Sequence, residues 1–379
     1  MGQTLITKHI LWKSAAEFCN ETLQELNNKN VFLFLDESLK KQLSLEKWYE
    51  GLSERNSLTY LDRIPSNPTY IDIFNALRQY GEAAPEVMLA IGGGSAIDMA
   101  KACTGLMYLK DKDNFDKQDV LQSLKSKEYL KHSVSIPIYA VPTTAGTGSE
   151  VTHWATIWDM EGKAKYSIDS VWLFPEKAYI VAEFTRTMPA RLTLSTGLDA
   201  LCQAIEAYWA KTSNPIIRTL AKSAIEIIVE YLPDVLDDLD NLHYREKMCL
   251  GSLFAGLAFA NTRTTACHSI SYPLTMSFAI EHGLACALSL AKIMEINWPV
   301  IAEPEELMKS LGVNNPVELQ IWIDNLTSDI VKMRLSAFGI EEMHIDELAE
   351  LSFTQGRMDN NPVEIMPDDV RRILIEIMF

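Results

Sequence analysis

Four polar side chains in the C-terminal half of the chain are of the types that bind a divalent metal ion. Asp199 and Gln203 lie four residues apart in the helical pattern GLDALCQAIEAY, so they share one face of a helix. His268 and His282 each lie in an apolar stretch, and Pro273 between them argues against one straight helix and favours two converging helix ends. A carboxylate and two imidazoles suit Fe(II) or Zn(II). Each residue taken alone is more simply a hydrogen-bonded core residue, so the metal site depends on the combination.

Two segments of the first half are suited to binding phosphate. Gly92-Gly93-Gly94-Ser95 follows the apolar run EVMLAI and precedes a helical pattern, so flexible backbone and free amides would meet a pyrophosphate there. The segment TTAGTGS at 143–149 follows the run SIPIYAV and offers four hydroxyls and two glycines. Because ligands gather at the carboxyl edge of a doubly wound sheet, the two segments together favour a phosphate site, although the G-x-G-x-x-G fingerprint is absent.

Asp36 ends a third apolar run, VFLFLD. A carboxylate at that place can accept hydrogen bonds from an adenosine ribose and would repel a 2′-phosphate, which favours NAD over NADP. An aspartate that only starts a turn is an equally good explanation at this point.

The elements that must position these residues differ between the two halves of the chain. The runs at 31–36, 86–91 and 135–141 alternate with helical patterns, which predicts a parallel sheet covered on both faces, and WATIWD and AKYSI flank a hairpin turn at 160–162. From about residue 186 the pattern is helical, over 193–210, 215–232, 244–261 and 284–297. We therefore predict an α/β domain over residues 1–185 and an all-helical domain over 186–379.

Composition narrows the classes of partner. Lys and Arg total 34, Asp and Glu total 51, and the net charge of −17 disfavours nucleic acid and anionic membranes as partners. The six cysteines form no C-x-x-C pair, which is typical of reduced thiols in a cytoplasmic protein. We expect no signal peptide, and no apolar run approaches the roughly 18 residues of a membrane span.

Four ordered motifs resemble the iron-containing (group III) alcohol dehydrogenase family. They are GGGSAIDMAK (92–101), PTTAGTGSEVT (142–152), GLDALCQAIEAY (197–208) and the pair His268 and His282-Gly283, and the resemblance runs from residues 66–69 to 360–362. It implies a dehydroquinate synthase-like fold, in which a dinucleotide-binding α/β domain precedes a helical domain. It also implies an NAD(P)-dependent alcohol dehydrogenase or aldehyde reductase with one divalent metal ion, Fe or Zn, that forms homodimers or larger homo-oligomers.

The resemblance implies that Asp199, Gln203, His268 and His282 are the metal ligands. The family has a histidine at the position of Gln203, and a neutral amide oxygen should lower metal affinity or shift selectivity toward harder ions. Some relatives work without a metal. Many members also carry a histidine at the position of Tyr272, and tyrosine relays a proton less easily at neutral pH. Tyr272 and His282 are the expected catalytic residues.

The resemblance also implies a set of contacts to the cofactor. Its phosphates and nicotinamide ribose would lie against the two phosphate segments, and its adenosine ribose would face Asp36. The expected cofactor-binding residues are Asp36, Asn67, Gly93, Gly94, Ser95, Asp98, Thr143, Thr144, Thr147, Ser149 and Lys165.

Within the family, the stretch ANTRTTACHSISYPLT (260–275) and the hairpin segments are most similar to the phosphonoacetaldehyde reductase branch. Arg263 lies among three threonines shortly before His268, and a guanidinium with hydroxyls suits a phosphonate dianion. A structural arginine paired with a surface acid is an equally good explanation. Arg263, Thr264 and Arg357 are therefore the candidate substrate-binding residues.

Three other functions remain open at this point. The chain could be a general short-chain alcohol or lactaldehyde-type dehydrogenase, or a metal-free reductase that resembles maleylacetate reductases. It could also be a nucleotide-binding module that has lost catalysis, an idea that the replacements at Gln203 and Tyr272 motivate.

Overall fold

A computed structural model describes residues 7–79, 84–132, 136–162, 164–354 and 356–379 of the chain. In this part of the chain the strands all lie before residue 181. They are β1 (His9–Trp12), β2 (Asn30–Phe34), β3 (Ser57–Leu61), β4 (Val87–Gly92), β5 (Ile138–Pro142), β6 (Trp154–Asp159), β7 (Ala164–Asp169) and β8 (Lys177–Ile180).

Helices alternate with the strands in the first half and continue without strands in the second. They are α1 (Ala15–Glu25), α2 (Glu37–Gln42), α3 (Glu46–Arg55), α4 (Tyr70–Arg78), α5 (Gly94–Gly105), α6 (Lys117–Ser126), α7 (Ala190–Trp209), α8 (Pro215–Asp237), α9 (Leu242–Thr262), α10 (Ala266–Phe278), α11 (His282–Asn297), α12 (Pro304–Leu311), α13 (Pro316–Thr327), α14 (Ile345–Leu351) and α15 (Pro367–Glu376). Among the described helices, none combines the length and the apolar character needed to cross a lipid bilayer.

The chain falls into two compact units. The α/β unit contains the described residues up to Thr144 and the segment Ser149–Thr187, whereas the helical unit contains Ala145–Gly148 and Met188–Phe379. Two residues after the end of β5, the chain therefore leaves the α/β unit for four residues and then returns to it. The glycines of this short segment pack closely against the rest of the helical unit. A Cβ atom at Gly148, for example, would lie 2.7 Å from Cα of Gly256.

The α/β unit is built on a six-stranded parallel sheet with the order β1-β8-β5-β4-β2-β3. Successive residues of the inner strands pack on opposite faces. Val31 and Leu33 lie in one buried cluster with side chains of α1 and α3, and Phe32 and Phe34 lie in another with side chains of α4, α5 and α6. Burial on both faces explains why these strands are uninterrupted apolar runs in the sequence. The predicted parallel sheet with helices on both faces is confirmed.

The strand predictions differ from the structure in their bounds and in their number. The predicted hairpin is confirmed as an antiparallel pair, β6 with β7. The run 31–36 is a strand only as far as Phe34, and the run at 135–141 begins as a strand at Ile138, with residue 135 outside the described residues. The strands β1, β3 and β8 were not predicted from the sequence. These strands have four or five residues, and β1 and β3 form the partly exposed edges of the sheet, so they lack a long apolar signal.

The helical unit is organised around α7, which is buried along most of its length. Its neighbours begin at side-chain caps: Asn214 accepts hydrogen bonds from two amides of α8, whose first residue is Pro215, and Asn241 caps α9. The predicted helices at 193–210, 215–232, 244–261 and 284–297 correspond to α7, α8, α9 and α11.

The two histidines lie at two helix ends, as predicted, but the break between the helices does not fall at Pro273. His268 lies in the first turn of α10 and His282 is the first residue of α11, so two helix ends do carry them. Pro273, however, lies inside α10, and the chain turns at Ala279, which has a left-handed backbone with φ 53°. A proline removes one backbone hydrogen bond, a loss that tertiary packing can offset in this helix, which is buried from Ala266 to Thr275.

Candidate active site

Three helices of the helical unit bring together four side chains of the types that bind metals. Asp199 comes from α7, His268 from the first turn of α10, and His282 and Cys286 from the first two turns of α11. One ligand atom of each lies within 4.8 Å of the others, and we call these residues the four-residue cluster. Three of them are buried, whereas the side chain of His282 is 34% exposed, so the cluster is reachable from one side.

A glycine allows α7 and α11 to approach this closely. A Cβ atom at Gly283 would lie 1.8 Å from the backbone oxygen of Ser195 and 2.9 Å from Cβ of Asp199. Only a residue without a side chain can therefore lie at this crossing. The close approach places Nε2 of His282 4.0 Å from Oδ1 of Asp199.

Glu206 lies two helical turns after Asp199 on α7 and orients the ring of His268. Its carboxylate is fully buried, accepts a hydrogen bond from Nδ1 of His268, and accepts two more, each 2.8 Å long, from the Cys267 amide and the Thr265 hydroxyl. In the neutral ring Nδ1 carries the proton, so Nε2 has a lone pair, and this atom faces Oδ1 of Asp199 at 3.3 Å.

Neighbours on α10 orient the ring of His282 in a similar way. The hydroxyl of Ser271 donates to the backbone oxygen of His268 at 2.8 Å, so its oxygen can accept from Nδ1 of His282 at 3.3 Å. Nε2 of His282 then carries the lone pair and lies 3.8 Å from Sγ of Cys286. The ring of Tyr272 lies parallel to this imidazole, with 5.7 Å between the ring centres.

Three buried polar atoms here have no hydrogen-bond partner within the described part of the chain. They are Oδ1 of Asp199, Oε1 of Gln203 and Nε2 of His268. When the imidazole of His268 is neutral, all three are acceptors, and a buried acceptor without a donor is costly. A single cation between Asp199 and His268, whose two atoms lie 3.3 Å apart, would satisfy both at once, so the cluster fits a divalent metal ion.

Neighbouring charges shift the pKa values within the cluster. Burial lowers the pKa of both imidazoles, but Cys286 together with Glu206 raises that of His268 well above its usual range, and Cys286 together with Asp199 raises that of His282. Burial raises the pKa of Cys286, but the two imidazoles lower it to about 7. The cluster therefore attracts positive charge, and a metal ion would compete with protons for it.

The structure brings together three of the four predicted ligands. Asp199, His268 and His282 meet in the cluster, and Gln203 lies one turn after Asp199 on the same buried helix. Their role as ligands, and the catalytic role of Tyr272 and His282, stay predictions.

Two residues of the site were missed by the sequence analysis, and each has a spacing signal. Cys286 follows His282 by four residues, the same spacing as Asp199 to Gln203. Glu206 follows Asp199 by seven residues and so lies on the same face of α7.

The backbone of Arg263 is strained. This residue ends α9 with φ 64° and ψ 175°, a region that only glycine adopts readily. One of its terminal nitrogens would lie 3.0 Å from a Cβ atom at Gly356. The buried Arg357 donates a hydrogen bond to the backbone oxygen of Gly356 at 3.1 Å. Both guanidinium groups therefore lie next to the same glycine.

The segment around Arg263 is tied to its surroundings by polar contacts. The side chain of Asn360 donates to the backbone oxygen of Thr264 at 3.0 Å, and the hydroxyl of Thr265 donates to Glu206 at 2.8 Å. The Thr264 hydroxyl is buried without a hydrogen-bond partner among the described residues. Arg263 is thus two residues before Thr265, which contacts the carboxylate that orients His268.

The α/β unit places the glycine-rich segment at the carboxyl ends of its inner strands. Gly92 pairs with Pro142 at the ends of β4 and β5, and α5 begins at Gly94 with Gly93 as its N-cap. A Cβ atom at Gly92 would lie 2.7 Å from Cβ of Ala96, so the turn requires glycine there. The strand order reverses between β2 and β4, and amides of a helix start at such a point suit a phosphate.

Two of the predicted cofactor residues bond to one another within the α/β unit. The Ser149 hydroxyl donates to Asp98 at 2.6 Å, and the other oxygen of Asp98 accepts from the Thr156 amide at 2.8 Å. The buried ammonium group of Lys101 donates to the Ser149 hydroxyl at 3.0 Å. These bonds stabilise the unit, and a cofactor contact of Asp98 or Ser149 stays a prediction.

Asp36 is the N-cap of α2. Its carboxylate accepts hydrogen bonds from the Ser38 amide at 2.9 Å and the Ser38 hydroxyl at 2.5 Å, and more weakly from the Ile64 amide at 3.4 Å. Burial raises the pKa of this carboxyl, but the bonds from Ser38 lower it, and the net shift is downward. The aspartate therefore does start a turn, and it is charged, as the prediction of ribose recognition requires.

Other predicted cofactor residues lie in separate elements. Asn67 has a left-handed backbone with φ 56° just before α4, and Lys165 lies on β7 with its ammonium group 5.9 Å from the ring centre of Trp158. Thr147 lies in the short segment that belongs to the helical unit. The remaining ones, at the ends of β4 and β5, are Gly93, Gly94, Ser95, Thr143 and Thr144.

Two family models match the chain and together cover almost all of it. Residues 7–181 match the model described as iron-containing alcohol dehydrogenase, and residues 193–378 match the one described as the Fe-containing alcohol dehydrogenase family, C-terminal.

Named relatives cover a range of aldehydes and alcohols. The phosphonoacetaldehyde reductase of Streptomyces viridochromogenes is 35% identical over 330 residues, which is 83% of this chain and 82% of the relative. An NADPH-dependent butanol dehydrogenase of Clostridium saccharobutylicum is 29% identical over 93% of this chain and 92% of its own length. A crystal structure of sulfoacetaldehyde reductase from Bifidobacterium kashiwanohense in complex with NAD+ superposes with a TM-score of 0.86 at 27% identity, over 100% of this chain and 99% of that one.

Proposed function

Because the chain belongs to the iron-containing alcohol dehydrogenase family, and is therefore an oxidoreductase, we propose that it reduces phosphonoacetaldehyde to 2-hydroxyethylphosphonate. The reaction would use a nicotinamide cofactor and one divalent metal ion. The observation that carries the choice of substrate is that Arg263 and Arg357 both lie next to Gly356. Arg263 is also two residues before Thr265, which contacts Glu206.

A pair of arginines in this position suits an aldehyde with an anionic head group. Guanidinium groups bind phosphonate oxygens through paired hydrogen bonds, and such bonds are stronger where water is excluded, as at the buried Arg357. The strained backbone of Arg263 has a cost that a binding role would explain. The similarity to a phosphonoacetaldehyde reductase and to a sulfoacetaldehyde reductase supports the proposal, since both names describe a two-carbon aldehyde that carries an anion.

The chemistry divides between the two units. Asp199, His268 and His282, with Gln203 as a weaker donor, would hold the metal ion, which supplies Lewis-acid polarisation of the carbonyl group. The segments that follow β4 and β5 would hold the nicotinamide cofactor, which supplies the hydride. The helical unit would orient the aldehyde, because it holds both the arginines proposed for the head group and the residues proposed for the metal ion.

The product hydroxyl also requires a proton, and we assign its transfer to Tyr272. The phenol ring is almost buried and lies parallel to the partly exposed imidazole of His282. Its hydroxyl would pass a proton from solvent to the product oxygen, a role that a neutral phenol performs less readily than an imidazole.

For the cofactor, we propose a preference for NAD(H) over NADP(H). The charged Asp36 at the switch point of the sheet can accept hydrogen bonds from ribose hydroxyls and would repel a 2′-phosphate. Comparing kcat/KM with NADH and with NADPH tests this proposal, and equal values would contradict it.

Replacing Arg263 with Gln tests the substrate. We expect kcat/KM for phosphonoacetaldehyde to fall by about 10²-fold, mainly through KM, because one charge-assisted contact to the head group is lost. For propanal, which has no head group, we expect a change of at most about twofold. Glutamine keeps a side chain on the strained backbone, so the variant changes the contact rather than the strain. The measurement is the oxidation of NADH at varied aldehyde concentration.

The control for this experiment is Arg372→Gln, since Arg372 is an exposed arginine of the same unit. It should leave both aldehydes unaffected. Equal losses for the two aldehydes in Arg263→Gln would instead identify Arg263 as a structural residue and favour a general short-chain alcohol dehydrogenase.

Replacing Glu206 with Gln tests the orientation of His268. The neutral amide cannot give the charge-assisted bond to Nδ1 of the imidazole, so we expect affinity for Zn(II) to fall by roughly 10–100-fold. Titration against a chromophoric chelator measures this affinity. Glu226→Gln, at an exposed carboxylate of α8, is the control, and equal affinities in the two variants would show that Glu206 has no part in metal binding.

A further inference from the structure

We propose that Cys286 is a metal ligand, so that the site consists of Asp199, His268, His282 and a thiolate and selects zinc or cobalt over iron, magnesium and manganese. The proposal deepens the proposed function and rests on it only in requiring a metal ion at this place.

Three separations within the four-residue cluster are close to those of a tetrahedral site. With metal–ligand bonds of about 2.0–2.3 Å, the ligand atoms of such a site lie about 3.3–3.8 Å apart. Nε2 of His268 is 3.3 Å from Oδ1 of Asp199, and Nε2 of His282 is 4.0 Å from the same oxygen. Sγ of Cys286 is 3.8 Å from Nε2 of His282, a separation of the same kind.

The direction of the lone pairs supports the same site. Both imidazoles use Nδ1 to bond a neighbour, Glu206 for His268 and Ser271 for His282, so both Nε2 atoms point their lone pairs into the cluster. Cys286 lies one helical turn after His282, which places its sulfur beside the same imidazole nitrogen. Sulfur therefore faces the place where oxygen and nitrogen lone pairs converge.

Among the other polar groups of the site, Gln203 is the competitor for the fourth position. It lies on the correct face of α7, and its buried oxygen has no hydrogen-bond partner among the described residues. An amide oxygen is neutral and hard, however, whereas a thiolate is charged and soft, and a borderline ion such as Zn(II) or Co(II) binds the thiolate more strongly. Cys286 is therefore the stronger ligand, and Gln203 is at most a weak additional one.

The thiolate reverses the selectivity expected from Gln203 alone. A site in which an amide replaced an imidazole would move toward hard ions such as Mg(II) or Mn(II). With one carboxylate, two imidazoles and one thiolate, the donors instead favour ions that accept sulfur, and the two negative charges neutralise a divalent ion inside the protein.

Cobalt spectroscopy on the full chain tests the proposal without measuring turnover. Co(II) bound to a thiolate has a sulfur-to-metal charge-transfer band in the near ultraviolet, which Co(II) bound only to oxygen and nitrogen lacks. We expect this band in the metal-stripped wild-type protein after one equivalent of Co(II) is added. We expect Cys286→Ser to lose the band and to bind Zn(II) at least about 100-fold more weakly.

Two variants are the controls. Cys249→Ser removes a buried thiol of the same unit outside the cluster, and Gln203→Ala removes the competing ligand; both should keep the band. Circular dichroism of Cys286→Ser confirms that it folds. A band that persists in Cys286→Ser, or a wild-type protein that binds Co(II) without the band, would overturn the proposal.

The outcomes separate this proposal from the proposed function. Metal-dependent reduction of phosphonoacetaldehyde without a charge-transfer band would leave the function intact and remove Cys286 from the site. A band without reduction of any aldehyde would confirm the ligand and refute the function. A protein that binds no Co(II) at all would overturn both.

Discussion

Asp199→Asn is expected to lower kcat/KM for aldehyde reduction by about 10³-fold. Without this carboxylate the site would hold a metal ion poorly, and the charge that develops on the carbonyl oxygen would lose several kcal/mol of stabilisation, which corresponds to such a factor. The change keeps the shape of the side chain and removes only the negative charge that faces the two imidazoles at 3.3 and 4.0 Å. It is a cleaner test than His268→Ala, which would leave the buried carboxylate of Glu206 without its partner and would destabilise the fold as well.

The measurement pairs steady-state oxidation of NADH with the metal content of the purified variant. Asp237→Asn, at an exposed carboxylate of α8, is the control and should keep wild-type values of both. Stripping the wild-type protein with a chelator should abolish activity, and adding a divalent ion should restore it. Full activity of metal-free protein would instead favour a reductase of the maleylacetate type. Binding of NADH without turnover on any aldehyde would favour a nucleotide-binding module that has lost catalysis.

The sequence predicts those parts of the fold that are buried on two faces. The strands β2, β4 and β5 are runs of apolar residues because helices cover both sides of the sheet, and each run ends near a residue with a chemical signal: Asp36, Gly93 or Thr143. The strands β1, β3 and β8 carry no such signal, because β1 and β3 are partly exposed edges and β8 has only four residues. Their positions in the sheet depend on pairing with strands that are distant in the sequence, and a local residue pattern does not show this pairing.

The residues of the candidate site that could be predicted are those whose side chains are unusual in apolar surroundings. Asp199, His268 and His282 were found because a carboxylate or imidazole inside an apolar pattern needs a partner. Cys286 was missed because a cysteine in an apolar helix looks like any small core residue. Its four-residue spacing from His282 does not by itself show that it lies beside Asp199 and the two imidazoles, because that proximity depends on the packing of α11 against α7.

The glycine that permits this contact leads to the second large effect. Gly283→Ala is expected to lower the free energy of unfolding of the helical unit by about 3 kcal/mol, near the upper end for overpacking, because the new Cβ atom would lie 1.8 Å from the backbone oxygen of Ser195. The backbone of Ser195 cannot move aside as the end of a flexible side chain can, so α11 must move away from α7. The same movement separates His282 from Asp199, and we expect metal affinity to fall by at least about 100-fold. A thermal midpoint lower by about 6–12 °C would report the first effect.

Gly51→Ala is the matched control, because Gly51 lies within α3 and its nearest neighbour beyond that helix is a leucine methyl 3.4 Å from the new Cβ atom. Alanine has the higher helix propensity, so this variant should be as stable as the wild type or more stable, with unchanged metal binding. The two effects of Gly283→Ala are separable in apo protein, where the lower midpoint should persist, since overpacking does not require a bound ion. A variant with wild-type stability and wild-type metal affinity would mean that α11 can shift without disturbing the cluster, and the helix crossing would then not control the site.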